Sequence, residues 1–126
     1  MAKYAHDSMM DAALSWVKTN TAQVCVCSSQ PTTYSEATST YKLGIASYTI
    51  TGSPANNGSS GRQITVQAAS SISITSSGNM QHIALVDSSP ATLVYVTTIP
   101  ASSQASVSAS DTVNMAAWTI SVDDPA

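Results

Sequence analysis

Cys25 and Cys27 are the two residues of this chain whose types and spacing most invite chemistry. Two thiols at i and i+2 of an extended segment share one face and stand about 6–7 Å apart along the chain. That is too extended for an easy mutual disulfide. A zinc site would need two more ligands, and only His6, His82 and scattered carboxylates remain to supply them. Cysteine is also among the most buried residue types, so the pair reads as small core residues with reduced thiols. Ser15-Trp16-Val17-Lys18 matches S-x-x-K, the nucleophile motif of penicillin-recognising enzymes. Serine is so common here, at 23 residues, that such a match arises readily by chance; Lys18-Thr19-Asn20 is not K-T-G, and no S-D-N occurs. His82 and Asp87 with a serine have the residue types of a hydrolytic triad, but no G-x-S-x-G elbow is present. His82 reads instead as a surface or hydrogen-bonding residue beside a turn, and His6 as an exposed residue before a helix. Asp87, Asp111 and Asp123 fall at turn positions, where Asp bonds its own backbone, and they do not cluster as a calcium loop would. Asn57-Gly58-Ser59 is a formal glycosylation sequon that reads as a flexible Asn-Gly turn. These residues assign no catalytic, cofactor or metal site, and the chain is not expected to be an enzyme.

What remains is surface. The chain has five Tyr, two Trp and no Phe. Tyr and Trp are enriched at interfaces because they bury area while keeping a polar tip. Tyr4, Tyr34 and Tyr41 lie in or next to expected loops, and Met9 and Trp16 fall on a second stripe of an expected helix. The candidate contact residues are therefore Tyr4, Met9, Trp16, Tyr34 and Tyr41.

Several function classes are excluded by composition. Charged residues are only 9% of the 126, against roughly 25% in a typical soluble domain. Hydroxyls replace them: 23 Ser and 15 Thr. Four basic residues cannot build the phosphate-neutralising patch that nucleic-acid binding needs. No apolar run approaches the ~20 residues of a membrane span, and the opening Met1–Asp7 has no apolar h-region, so neither a membrane segment nor a secretory signal is expected. A net charge of −3 gives weak repulsion between copies, which suits a surface packed against neighbours.

The elements that must carry these residues follow from periodicity. Met10, Ala13, Leu14 and Val17 mark one face of a helix over 7–19, with Asp7 or Ser8 able to cap it and Met9, Ala12 and Trp16 forming a second apolar stripe. Residues 1–20 form an N-terminal arm and helix. Val24 and Val26 alternate with Cys25 and Cys27 in a strand over 22–28. Residues 28–40 read as a loop with a helical turn around Ser35-Glu36-Ala37, 41–50 as a strand or strand pair, and 51–61 as a long exposed loop. Alternation then marks strands around Ile64, Ile72, Val107, Val113 and Ile120. His82-Ile83-Ala84-Leu85-Val86 is apolar on both faces and reads as a central strand; Leu93-Val94-Tyr95-Val96 is again apolar on both faces, beyond a turn at Asp87–Pro90. About eight short strands at this spacing predict a mainly β single domain over 1–126, a β-sandwich or jelly roll with one N-terminal helix.

The opening MAKYAHDSMMDAALSWVKTNTAQVCVCSSQPTTYSEAT resembles small proteins encoded in tailed-bacteriophage structural gene clusters. They share a MAKYA start, a D-x-x-x-D-A-A-L helix and a C-x-C-S-x-Q-P-T-T-Y-x-E-A segment. HIALVDSSPATLVYVTTI is similar to a hairpin of phage virion β-sandwich proteins, and SASDTVNMAAWTISVDDPA to their A-G-D-T-V-x-I-P-A-W-x-I ending. Ser110-Asp111 departs from that pattern where a Gly often precedes the Asp, and Met115-Ala116-Ala117 where I-P-A is common. The resemblance implies a virion structural protein made in the host cytoplasm. A capsid decoration, or cement, protein on the head surface fits best: its partners would be the major capsid protein and copies of itself, as dimer or trimer. A tail, fibre or baseplate adaptor, or a carbohydrate-binding host-attachment module using Tyr34 or Tyr41, are the alternatives.

Overall fold

The computed structural model describes residues 6–58 and 61–123. Tyr4 lies outside them, as do residues 124–126 of the polar tail. In chain order the elements are α1 (Asp7–Asn20), β1 (Gln23–Cys27), a π-helical turn (Glu36–Thr40), β2 (Lys42–Ser47), β3 (Ala55–Asn56), β4 (Arg62–Val66), β5 (Ala69–Ser73), β6 (Gly78–Asn79), β7 (His82–Ser88), β8 (Ala91–Thr98), a 3₁₀ turn (Ala101–Ser103), β9 (Ser106–Val107), β10 (Thr112–Met115) and β11 (Trp118–Val122). The fold is mainly β, with one α-helix and several antiparallel sheets. Eight strands have four or more residues; β3, β6 and β9 add two residues each, too short for alternation to register. The chain gathers into two compact units.

The first unit takes in the described residues of Met1–Thr19, Ile50–Ala68 and Ala116–Ala126. Its sheet has the order β11-β4-β3, with Ile64 facing Ile120 and Val66 facing Trp118. Ile64, Val66 and Ile120 are buried, as their alternation requires. The expected exposed loop over 51–61 is exposed at most of its described residues, and it contains β3, which pairs Ala55 with Gln63 and Asn56 with Arg62. Arg62, the chain's single arginine, organises this unit. Its guanidinium donates from Nε to Asp11 Oδ1 at 2.7 Å and from Nη2 to Asp11 Oδ2 at 3.1 Å, a two-pronged pair joining β4 to α1. Nη1 donates to Asn56 Oδ1 at 2.6 Å. The cap of α1 is neither Asp7 nor Ser8. The helix starts at Asp7, so the residue before it takes that role: His6 Nδ1 accepts from the Ser8 N–H at 3.1 Å.

The second unit takes in Asn20–Thr49 and Ala69–Met115. Its largest sheet has the order β2-β1-β7-β8, all antiparallel. β1 and β7 are the inner strands. Val24, Cys25, Val26, Cys27, Ile83, Ala84, Leu85 and Val86 are all buried, so both faces of the sheet's centre are covered. The reading of β7 as central is therefore correct. β8 is not its equal: despite an apolar sequence it forms the edge, and its residues are half-buried or exposed. A hairpin partner can occupy an edge while sharing the apolar composition of its neighbour. The opposite edge, β2, is closed by chain from beyond β5. Gly44 bridges Ile74, and Leu43 C=O accepts from the Thr75 N–H at 2.8 Å and the Ser76 N–H at 3.2 Å. Glycine is required there because a Cβ on Gly44 would run into the Ser73 carbonyl oxygen. The unit is completed by two two-stranded pairs, β10 with β5 and β6 with β9.

Candidate functional site

α1 buries Met10, Leu14 and Val17, spaced i, i+4 and i+7. Ala13 does not join that face; it is exposed. It lies instead with Met9, Ala12 and Trp16, at i, i+3, i+4 and i+7, and all four are exposed. Met9 is 62% exposed and Trp16 50%, the two largest such values among the big apolar residues described. The helix thus carries two apolar faces, one buried and one largely exposed. Asp7 in its first turn and Lys18 in its last complement the helix dipole. A contiguous exposed apolar stripe is the surface feature that marks an interaction site.

Tyr34 and Tyr41 behave differently. Both are half-buried and pack against a cluster formed by Cys25, Cys27, Ala37, Ala84 and Val86. The segment between them explains why. Thr33 Oγ1 accepts from the Glu36 N–H at 3.1 Å, while Glu36 Oε1 accepts from the Thr32 N–H at 2.9 Å and the Thr32 hydroxyl at 2.6 Å. That reciprocal cap starts the turn. The Tyr41 N–H then bonds Glu36 C=O at 2.8 Å, five residues back, and closes the π-helical turn. The turn lays Ala37 on the Cys25/Cys27 face of the sheet and draws both tyrosines in with it. The helical turn was readable around Ser35-Glu36-Ala37; its effect on the tyrosines was not, because it depends on which sheet face the turn covers.

The thiols are free and buried. The Cys27 Sγ–H donates to Ala37 C=O at 3.6 Å. Burial, with the neighbouring thiol Cys27 a smaller cause, pushes Cys25 up to about 12, and burial pushes Cys27 up to about 11. Both stay protonated at neutral pH, and a protonated thiol is neither nucleophile nor metal ligand.

The other groups with chemical potential are engaged locally. His82 and Asp87 stand in the same strand, five residues and about 17 Å apart along β7, far from triad geometry. His82 Nδ1 lies 3.4 Å from the Thr98 hydroxyl across the hairpin. Asp87 Oδ1 accepts from the Ser89 N–H at 3.1 Å, Asp111 Oδ2 from the Ser108 N–H at 2.8 Å, and Asp123 Oδ1 from Asn57 Nδ2 at 3.2 Å. Each carboxylate shapes a turn or ties two loops. Among the described residues no three His, Cys, Asp or Glu side chains come together as a metal site, and no helix is long and apolar enough to cross a membrane. Comparison with protein-family models, curated proteins and solved structures gives no match. The candidate site is therefore the exposed face of α1, built from Met9, Ala12, Ala13 and Trp16.

Proposed function

We propose that this chain is a structural protein of a tailed-bacteriophage particle, a decoration or cement protein that binds the head shell by protein–protein contact. The observation that carries the reading is the apolar face of α1, which exposes Met9 and half of Trp16 and offers another protein surface apolar area to bury. The sequence likeness to phage structural proteins gives the partner its class, the major capsid protein. Low charge suits a close-fitting shell contact, because unpaired charges are costly to bury. The finer architecture in this reading is a β-sandwich of the jelly-roll kind. Its support is the alternation of buried and exposed residues along β4, β5 and β11, which gives those strands one covered face and one outward face. The carboxylates that shape turns and the protonated thiols favour a structural role over an enzymatic one. A sugar-binding role loses support, since Tyr34 and Tyr41 spend their rings on the core cluster.

The test is co-sedimentation of the purified chain with phage heads that lack it. The expected result is saturable binding in hundreds of copies per head and a rise in the head's thermal resistance. A Met9→Ser/Trp16→Ser double variant, folded by circular dichroism, loses that binding. Absence of binding, or binding indifferent to the double variant, overturns the assignment of the helix face. A few tens of copies or fewer per particle would move the protein to the tail, as a fibre or baseplate adaptor.

A further inference from the structure

β8 is the terminal strand of its sheet, and among the described residues its ladder partner is β7 alone. Every second residue of such a strand turns its N–H and C=O away from the sheet, and those groups recruit another strand unless something blocks them. Proteins block an edge with lysine or other charges, with proline, with a short strand, with a bulge or with covering chain. β8 is eight residues long, the longest strand of the fold, and Ala91-Thr92-Leu93-Val94-Tyr95-Val96-Thr97-Thr98 contains neither a charge nor a proline. Its one blunting device is the register shift opposite Leu85/Val86, which leaves Val94 as the extra residue. The rest of the molecule shows what protection looks like. β2 is closed by Ile74, Thr75 and Ser76. β3 is only two residues long, and β11 runs directly into Asp123.

We propose that β8 is a dimerisation edge, pairing antiparallel with β8 of a second copy about a two-fold axis to continue the four-stranded sheet into an eight-stranded one. The occupant is a second copy because two-fold pairing sets the strand against its own sequence. Near the two-fold axis a side chain meets its own copy, where a charge would face its like; β8 carries none. The flanks bring threonines towards threonines or aliphatic residues, and the middle brings valine, leucine and tyrosine together, pairings that stabilise an antiparallel ladder. Tyr95, 37% exposed near the strand's centre, gains cover from the partner sheet. The inference stands on the strand alone and does not depend on the phage reading.

Sedimentation of the full chain over a wide concentration range, with hydrogen–deuterium exchange read by fragment, tests it. The expected result is a monomer–dimer equilibrium in which amides of 91–98 slow as the dimer fills. Tyr95→Lys and, separately, Ala91→Lys should each weaken self-association by about tenfold or more. Monomer at every concentration overturns the proposal, as does a trimer, or a dimer whose 91–98 amides exchange at one rate throughout. A dimer dissolved by Trp16→Ser but untouched by Tyr95→Lys overturns it too. Should either lysine variant fail to fold, exchange in the unaltered chain decides alone.

Discussion

Ser110 adopts a φ of +81°, in the left-handed region that only glycine enters without steric cost. The strain is held by the turn around it: the Asp111 N–H bonds Ser108 C=O at 3.0 Å while Asp111 Oδ2 takes the Ser108 N–H. Glycine would take this φ without the clash that a Cβ brings. Ser110→Gly should therefore stabilise the fold by about 0.5–1 kcal/mol, the relief of left-handed strain less glycine's larger loss of chain entropy. Denaturant unfolding checks it; an unchanged or lowered midpoint would mean that the serine hydroxyl contributes as much as the strain costs. Cys25 and Cys27 make the second case at this scale. Their pKa values, raised by burial to about 12 and about 11, keep both thiols protonated, and their position on the inner strand β1 keeps reagents out. An aromatic disulfide reagent should label neither in the native protein and both after denaturation. Rapid labelling of the native chain would place at least one sulfur at the surface.

The cap formed by Thr32, Thr33 and Glu36 is an element-scale device with a pH signature. Hydrogen bonds from the Thr32 hydroxyl and N–H favour the ionised Glu36 carboxylate and lower its pKa. The unfolded chain then takes up a proton at a higher pH than the folded one. The cap's contribution is fully present above the ordinary glutamate pKa of about 4.3 and fades as pH falls through the lower folded value. Acid titration followed by near-ultraviolet circular dichroism should show Tyr34 and Tyr41 losing their fixed environment in that window, and Glu36→Gln should remove most of the pH dependence. A Glu36→Gln chain with the same acid profile would assign the effect to another carboxylate. Elements were legible in the sequence where one face was apolar over four or more residues: α1, β1, β4 and β7 fall within a residue or two of where periodicity puts them. β3 was not, because two residues cannot show a period and its pairing depends on Arg62 across the loop. The edge position of β8 was not, because Leu93-Val94-Tyr95-Val96 reads the same at an edge as at a centre. The Arg62–Asp11 pair spans 51 residues, and its one signal was that the chain has a single arginine. Of the contact candidates, Met9 and Trp16 were readable as a stripe beyond what the buried helix face needed. Tyr34 and Tyr41 are half-buried against the core cluster, which was not readable because a loop position in sequence says nothing about the sheet face a capped turn will cover.

At the scale of the whole molecule, the proposed contacts share one physical character. The α1 face is apolar and the β8 edge is backbone, and neither presents a charge to its partner. The chain has four basic and seven acidic residues, and Arg62 is already occupied by Asp11. Association through such surfaces displaces little counterion and owes little to steering, so screening has almost nothing to act on. Dimerisation and head binding should therefore change little between low and high sodium chloride. Sulfate, which strengthens apolar burial by its exclusion from protein surface, should tighten both modestly. Sedimentation in a salt series reads this directly. A steep loss of association with rising sodium chloride would locate the contact at the few charged residues, and neither α1's exposed face nor the edge of β8 would then be what holds copies together.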